Sequence, residues 1–311
     1  MKIVIAGGTG FLGRPLTDRL VSEGHDVVIL TRRVSPQLRA RAVVWSPGKD
    51  AENIVSGITG AWANEIDGAD AVINLAGESI AGRRWSPSHK KQILESRIHA
   101  TRSLAAAIAA ASRPPSVFAS GSAVGYYGPL GDELAVETTP AGSDFLAQVC
   151  QQWETEANRA ASPRTRVVCI RTGLALERDG GALPQMLLPF KFGAGGPVGS
   201  GRQYWPWIHR TDWIDLVRWA IRTDAAAGPL NATAPNPVRN AEFARALGRA
   251  LHRPSFMPAP AFALRLMLGE MADALLLSGQ RAMPAKAQAL GFSFKYSKLD
   301  DALAAIFGAT M

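Results

Sequence analysis

The sequence predicts an α/β protein in which helices flank a doubly wound parallel β-sheet, followed by a small, mostly helical C-terminal domain. A short apolar run, Ile3–Ala6, leads directly into a glycine-rich turn. An amphipathic helical stretch and a second apolar run, 26–31, complete a βαβ unit of roughly thirty residues. Apolar runs and helical stretches then continue to alternate along the chain, which is typical of a parallel sheet.

The chain is long enough for a large sheet domain and a smaller second unit. It has 311 residues, of which 47% are hydrophobic and 19% charged, as in an ordinary globular protein. We expect residues 1–230 to form the sheet domain, with the substrate region in its second half. Residues 231–311 are expected to form the small helical domain, whose exposed apolar face would allow a homo-oligomer to form.

Several functional classes are disfavoured by composition and spacing. No signal-peptide pattern opens the chain, and three charged residues interrupt its most apolar later stretch, 260–279, so we expect a cytoplasmic protein with no membrane partner. The net charge is +8, but the basic residues are dispersed and no nucleic-acid-binding motif accompanies them, so no nucleic-acid partner is expected. Only two cysteines occur, Cys150 and Cys169, without metal-ligand spacing, so no metal site is expected.

The glycine-rich turn after the first strand indicates a nucleotide site. Gly7, Gly10 and Gly13 have the spacing G-x-x-G-x-x-G, one residue different from the dinucleotide fingerprint. Such glycines let backbone N–H groups approach a pyrophosphate at the N-terminus of the following helix, the arrangement of a Rossmann-type domain. Glycine turns are common, but here the flanking strand and helix are those that the fingerprint requires. The predicted cofactor contacts in this turn are Gly7, Thr9, Gly10, Phe11, Leu12 and Gly13.

The end of the second strand favours NADP(H) over NAD. In NAD-binding domains an acidic residue at this position binds the adenosine ribose, whereas this chain has Thr31-Arg32-Arg33. A guanidinium would form charge-assisted hydrogen bonds with a 2′-phosphate. Thr31 and Arg32 are therefore predicted cofactor contacts, the alternative being a solvated strand end.

After a short strand predicted at 42–45, a further strand and a long helix add candidates. The strand predicted at 69–75 ends in Leu75, Ala76 and Gly77, at the edge where doubly wound sheets bind ligands. The helix predicted from the Ser86 cap to about Ser112 carries Arg97 near its middle. We assign Arg97 to the cofactor site, with an ordinary exposed helical residue as the alternative.

The next strand, 117–120, is followed by small, hydroxyl-bearing and aromatic residues. Ser120 is a predicted cofactor contact. Ser122 and Tyr127 are the predicted catalytic residues, because hydride transfer to a carbonyl needs a polarising hydroxyl and a proton donor. The segment also fits a glycine-rich turn with a packed aromatic ring.

Together the motifs resemble the extended short-chain dehydrogenase/reductase superfamily, and more closely its atypical NAD(P)-dependent epimerase-like, sulA-homologue branch. The resemblance covers essentially the whole chain and implies the fold described above. The segments that carry it are GGTGFLG (7–13), NLAGESI (74–80), RRW (83–85), SRIHAT (96–101), SAVGYYG (122–128), WPWIHRTD (205–212) and NATAPNPVRNAEFARALGRAL (231–251).

One departure from the resemblance concerns catalysis. Extended members use a Tyr-x-x-x-Lys pair on the helix after the serine strand, and the segment 144–154 contains none. If Glu154 is the acidic residue that follows the lysine, Leu146 and Cys150 occupy the two positions. Arg97 similarly stands where the superfamily often has asparagine.

The resulting hypothesis is an NADP(H)-dependent oxidoreductase or epimerase that acts on a small polar, sugar-like or carbonyl substrate. Ser122 would bind the reacting oxygen, and Tyr127 or Tyr126 would supply the proton without a lysine to lower its pKa. The alternative is a non-catalytic NADP(H)-binding sensor or scaffold, which the missing pair favours.

Overall fold

A computed structural model describes residues 1–48 and 60–308 and contains one large parallel sheet. The strands are β1 (Lys2–Ala6), β2 (Asp26–Thr31), β3 (Arg41–Val44), β4 (Ala71–Asn74), β5 (Val117–Ala123), β6 (Leu134–Ala135), β7 (Arg166–Thr172), β8 (Leu174–Leu176), β9 (Tyr204–Trp205), β10 (Trp207–His209), β11 (Gly228–Ala232), β12 (Val238–Arg239) and β13 (Arg281–Ala282). Seven of them form the main sheet in the order β11-β7-β5-β4-β1-β2-β3, with every neighbour parallel. The predicted fold class is confirmed.

The helices follow the strands along the chain. They are α1 (Gly13–Ser22), α2 (Pro87–Ala110), α3 (Phe145–Asn158), α4 (Leu183–Lys191), α5 (Arg210–Arg222), α6 (Asn240–Leu251), α7 (Ala261–Leu268), α8 (Glu270–Ala272), α9 (Ala285–Ala289) and α10 (Leu299–Phe307). The Ser86 side chain accepts a hydrogen bond from the His89 backbone N at 3.2 Å and caps α2, as predicted, with Pro87 at the first helical position. The helix ends at Ala110, two residues before the predicted end.

Apolar side chains cover both faces of the sheet, because its central strands are buried on both sides. Leu16 and Leu20 of α1 pack on one face together with Trp213 of α5. On the other face, Leu104 and Ile108 of α2 belong to a separate core cluster. This two-sided burial explains why the central strands read as continuous apolar runs in the sequence.

The boundary predicted between the two domains, at residue 230, falls within strand β11. Strand β11 continues to Ala232 and pairs with β7 along its whole length, so the sheet extends past residue 230. A third core cluster also joins the two parts, because Leu187 and Trp207 pack with Phe243 and Leu303. The small domain is therefore built on the second half of the sheet domain. Residues 309–311 of the expected domain lie outside the described residues.

Within the described ranges, no helix is both long and apolar enough to cross a membrane. The helical C-terminal part does present apolar side chains to solvent, with Phe256, Phe262 and Leu266 each at least 74% exposed.

Candidate cofactor and active site

The predicted cofactor residues lie at the carboxyl edge of the central strands. Strand β1 is hydrogen-bonded between β2 and β4, so the segments that follow these three strands emerge next to one another. The Leu75 backbone N donates to the Ala6 carbonyl at 2.8 Å, which joins the ends of β4 and β1. Residues 7–13, 31–32 and 75–77 therefore lie at one edge of the sheet, and their contacts with a cofactor stay predictions.

The three motif glycines have different physical roles. Gly7 has φ +79°, and a Cβ there would lie 2.7 Å from the Leu75 carbonyl carbon. A Cβ on Gly13 would lie 2.1 Å from the Gly7 carbonyl oxygen. Both residues must be glycine for the turn to form. Gly10 is exposed, and the nearest atom to its Cβ position is the Gly7 oxygen at 3.4 Å, an ordinary contact. The protein itself therefore leaves room for a side chain at Gly10.

The three other predicted contacts in this turn are one exposed residue and two packed ones. Thr9 is exposed, whereas Phe11 and Leu12 pack against the core. A Cβ at Gly180 or Gly181 would lie 2.6 or 2.7 Å from the Phe11 ring, and the Arg210 Cζ lies 5.2 Å from the ring centroid. Phe11 thus anchors the turn to the loop after β8. Sequence reasoning missed this contact, for which the double glycine was the available signal.

The end of β2 presents an exposed cation, Arg32. The Thr31 hydroxyl donates to the Arg33 carbonyl at 3.0 Å, which shapes the chain just past the strand. Arg32 is exposed, and no acidic side chain in the described part of the chain forms an ion pair with it. Among the described residues, no salt bridge has to break before this guanidinium binds a ligand anion.

Hydrogen bonds of a buried amide side chain, Asn74, fix the loop after β4. The Asn74 side chain is fully buried, donates from Nδ2 to the Thr101 hydroxyl at 2.9 Å and accepts from the Ala76 backbone N at 3.2 Å. These bonds position Leu75, Ala76 and Gly77 at the sheet edge. Asn74 and Thr101 were not among the predicted site residues, although both lie within motifs that carry the resemblance.

Arg97 packs directly against Gly77. A Cβ on Gly77 would lie 3.2 Å from the Arg97 Cζ, so this glycine provides the space that the guanidinium occupies. Nη1 of Arg97 donates to the backbone oxygens of Glu78 and Ile93, both at 3.0 Å, and Cζ lies 5.1 Å from the Trp153 ring centroid.

No carboxylate in the described residues pairs with Arg97, since its contact with Glu78 is to the backbone. Burial lowers the pKa of Arg97 from its usual value. The guanidinium is therefore a partly desolvated cation without an anion, at the edge where a phosphate-bearing cofactor would bind.

The predicted hydroxyl residues on and after β5 are buried and already hydrogen-bonded. The Ser120 hydroxyl donates to the Gly121 carbonyl at 3.3 Å, and the Ser122 hydroxyl donates to Glu154 at 2.7 Å. The Tyr127 hydroxyl donates to the Asn231 Oδ1 at 2.7 Å, and burial raises its pKa to about 12. The catalytic roles of Ser122 and Tyr127 stay predictions, and their environment weighs against them because neither hydroxyl is free.

A buried ion pair organises this region. Arg171 on β7 is 2% exposed and binds both carboxylate oxygens of Glu154 on α3, at 2.8 and 2.9 Å. Burial alone would lower the pKa of Arg171, but the bonds to Glu154 raise it above its usual range. Arg171 also donates to the Tyr127 hydroxyl at 3.0 Å, and its Cζ lies 3.5 Å from the Tyr126 ring centroid. Unlike Tyr127, Tyr126 is partly exposed.

Helix α3 packs against the end of β5, where the resemblance places the Tyr-x-x-x-Lys pair. The Leu146 Cβ would be 3.3 Å from a Cβ on Gly125, and the Cys150 thiol is buried beside Ser122. Burial raises the pKa of Cys150 to about 12, so the thiol stays protonated at neutral pH. Neither residue supplies the phenol or the cation of the usual pair.

Within the ranges 1–48 and 60–308, no group of three His, Cys, Asp or Glu side chains lies close enough together to hold a metal ion. The parallel sheet, the glycine turn against β4 and the two cations at its edge instead define a dinucleotide-binding protein of the Rossmann type.

Comparison with known proteins makes the family explicit. The chain belongs to the NAD-dependent epimerase/dehydratase family, whose model matches residues 3–232, and residues 259–306 match a domain of unknown function, DUF1731. The resemblance drawn from the motifs is therefore confirmed, including its coverage of nearly the whole chain.

Curated relatives and a solved structure match over most of their lengths. The chain is 43% identical over 308 residues to the chloroplastic epimerase family protein SDR39U1 homolog of Arabidopsis thaliana, covering 98% of this chain and 86% of the relative. It is 41% identical to epimerase family protein YfhF of Bacillus subtilis, covering 97% of each. A crystal structure of human epimerase family protein SDR39U1 (isoform 2) with NADPH has a TM-score of 0.87 and 36% identity, covering 98% of this chain and 99% of that one.

Proposed function

We propose that this protein is an NADP(H)-dependent oxidoreductase that acts on a small polar or carbonyl substrate. The observation that carries the proposal is Arg32, an exposed cation without an acidic partner in the described residues, at the strand end where NAD-binding domains place a carboxylate. A 2′-phosphate would gain charge-assisted hydrogen bonds there, whereas the bare ribose of NAD would not.

The human relative supports the choice of cofactor, because its crystal structure contains NADPH. Hydride chemistry would come from the nicotinamide, and the chain would bind the cofactor, orient the substrate and provide a proton. Arg97 is the second cation at this edge, and we assign it to a phosphate or the ribose of the same cofactor.

Of the two adjacent tyrosines, Tyr126 is the better proton donor. Its ring stacks on the Arg171 guanidinium and it is partly exposed, whereas the Tyr127 hydroxyl is held by Asn231 and Arg171 inside the protein. A buried phenol with a pKa of about 12 exchanges its proton poorly with a substrate at neutral pH.

A second candidate function is an NADP(H)-binding protein without catalysis. The observation that favours it is the α3 surface, which offers Leu146 and a buried Cys150 thiol at the positions that the resemblance assigns to tyrosine and lysine. Such a protein would bind the cofactor at the same edge and report its level to a partner.

A matched pair of tyrosine variants separates the two candidates. NADPH oxidation is followed with a panel of small aldehydes, ketones and ketosugars, using the parent protein, Tyr126→Phe and Tyr127→Phe. An oxidoreductase that uses Tyr126 loses turnover in Tyr126→Phe with unchanged NADPH affinity. Tyr127→Phe should keep turnover while losing about 1–3 kcal/mol of stability, because its buried partners are left unsatisfied. NADPH binding without turnover on any substrate of the panel would support the non-catalytic candidate.

A further inference from the structure

A cavity lies between helix α4 of the sheet domain and helices of the small C-terminal part. Residues of α4, the end of α6, the last turn of α10 and the loop after β8 line it, it is partly open to solvent, and its volume is about 140 Å³. Four apolar side chains and three cationic ones line it: Leu187, Phe190, Leu251, Phe307, Arg178, Lys191 and Arg253.

None of the three cations has an acidic partner in the part of the chain that the structure describes. The acids beside Arg178 in the sequence are engaged elsewhere, because Glu177 and Asp179 both pair with Arg210. On α10, Asp300 is paired with Arg249. Among the described residues, no ion pair neutralises the positive charge at the rim of the cavity.

The inner wall of the cavity is apolar. Leu187 and Phe190 are almost fully buried on α4, while Leu251 and Phe307 are partly exposed at the ends of their helices. An engineered apolar cavity of about 150 Å³ accepts one benzene ring. A cavity of this size thus has room for a single ring but not for a nucleotide.

We propose that this cavity is a binding site for a small aromatic carboxylate, with the ring against the apolar wall and the carboxylate at Arg178, Lys191 and Arg253. Burying the ring removes apolar surface from water. The carboxylate forms charge-assisted hydrogen bonds with cations that have no ion-pair partner among the described residues. None of the residues that line the cavity belongs to the glycine turn or to the ends of β2 and β4. Arg178 lies in the loop after β8 that also contacts Phe11 of the glycine turn.

Three probes test the two halves of the site separately. Calorimetric titrations of the full chain, in the presence of saturating NADP⁺ to occupy the cofactor edge, compare benzoate with acetate and benzyl alcohol. Acetate keeps the charge without the ring, and benzyl alcohol keeps the ring without the charge. We expect benzoate to bind with one-to-one stoichiometry and at least fivefold more tightly than either. No saturable benzoate binding, or equal binding of benzyl alcohol, would overturn the proposal.

Charge variants locate the binding. The double variant Lys191→Gln, Arg253→Gln removes two exposed rim cations and should weaken benzoate at least fivefold. The control Arg19→Gln, Lys91→Gln removes the same charge from exposed helical positions elsewhere and should leave benzoate binding unchanged. If both double variants bind benzoate as the parent does, or if both weaken it equally, the cavity is not the site.

Discussion

Replacing Arg97 with methionine tests how the cofactor edge uses a cation that has no anion of its own. Methionine keeps much of the aliphatic volume and a good helix propensity, while the charge and its hydrogen bonds disappear. In the structure Arg97 donates to two backbone oxygens at 3.0 Å and stacks on Trp153.

The expected stability change is small because two effects oppose each other. Losing the two hydrogen bonds costs about 1–3 kcal/mol in total. Removing a cation whose burial is not repaid by a carboxylate gains free energy, and the lowered pKa of Arg97 reports that unfavourable burial. We expect a net change within about 1 kcal/mol for the protein without cofactor. NADPH affinity should fall at least tenfold, or about 1.4 kcal/mol, because the cofactor is the anion that Arg97 lacks.

The assay combines calorimetric titration with NADPH and denaturant unfolding without it. Arg102→Met is the matched control, since Arg102 lies on the same helix but binds Glu156 through two hydrogen bonds at 3.1 and 2.8 Å. That variant should lose stability, leave Glu156 with fewer partners and bind NADPH normally. If Arg97→Met binds NADPH like the parent but unfolds much more easily, Arg97 is a structural residue and its assignment to the cofactor is wrong.

Three more substitutions test the glycine turn, the buried ion pair and a buried histidine. Gly10→Val should abolish NADPH binding and keep the circular dichroism spectrum, whereas Gly13→Val should fail to fold; unchanged NADPH affinity in Gly10→Val would refute this. Glu154→Gln should cost about 3–5 kcal/mol in denaturant unfolding, because Arg171 is left buried without its anion, and a cost below 1 kcal/mol would contradict it. Burial lowers the pKa of His209 to about 4, below the ordinary value of 6.5. Because the unfolded chain binds the proton more tightly, the contribution of His209 to the free energy of unfolding is present above pH 6.5 and is lost as the pH falls toward 4. The parent should lose more stability than His209→Gln over that interval, and parallel pH profiles would refute the assignment.

The sheet and the cofactor edge could be predicted because their signals are local in sequence. A buried strand, a glycine turn and the start of a helix are consecutive in the chain, and the two strands predicted on either side of that helix pair in parallel. The position of Arg32 follows from the same unit, since it directly follows the last residue of β2.

The different roles of the motif glycines could not be predicted. A Cβ on Gly7 or Gly13 would clash with backbone atoms that the turn brings close, whereas Gly10 has free space beside it. Spacing alone treats the three as equivalent, because it contains no information about which atoms surround each Cβ position.

The buried hydrogen-bond network near β5 also could not be predicted from the sequence. Ser122, Glu154 and Arg171 lie on three different elements and meet only because β5 pairs with β7 and α3 packs on both. Hydroxyl and phenol groups in a motif look reactive in the sequence, whereas in the fold their hydrogen bonds are directed into the protein. The shared core of the small domain was missed for the same reason, since Trp207 and Leu303 are far apart in the chain.

Discrimination between NADPH and NADH by Arg32 is the most direct test of the cofactor assignment. Both nucleotides are titrated calorimetrically against the parent and against Arg32→Ala. The substitution disturbs no ion pair among the described residues, because the exposed Arg32 side chain has no acidic partner there. The account predicts that the parent binds NADPH at least tenfold more tightly than NADH, a difference of about 1.4 kcal/mol, and that Arg32→Ala loses most of this preference with little change in NADH affinity. Equal affinities for NADPH and NADH in the parent protein would contradict it.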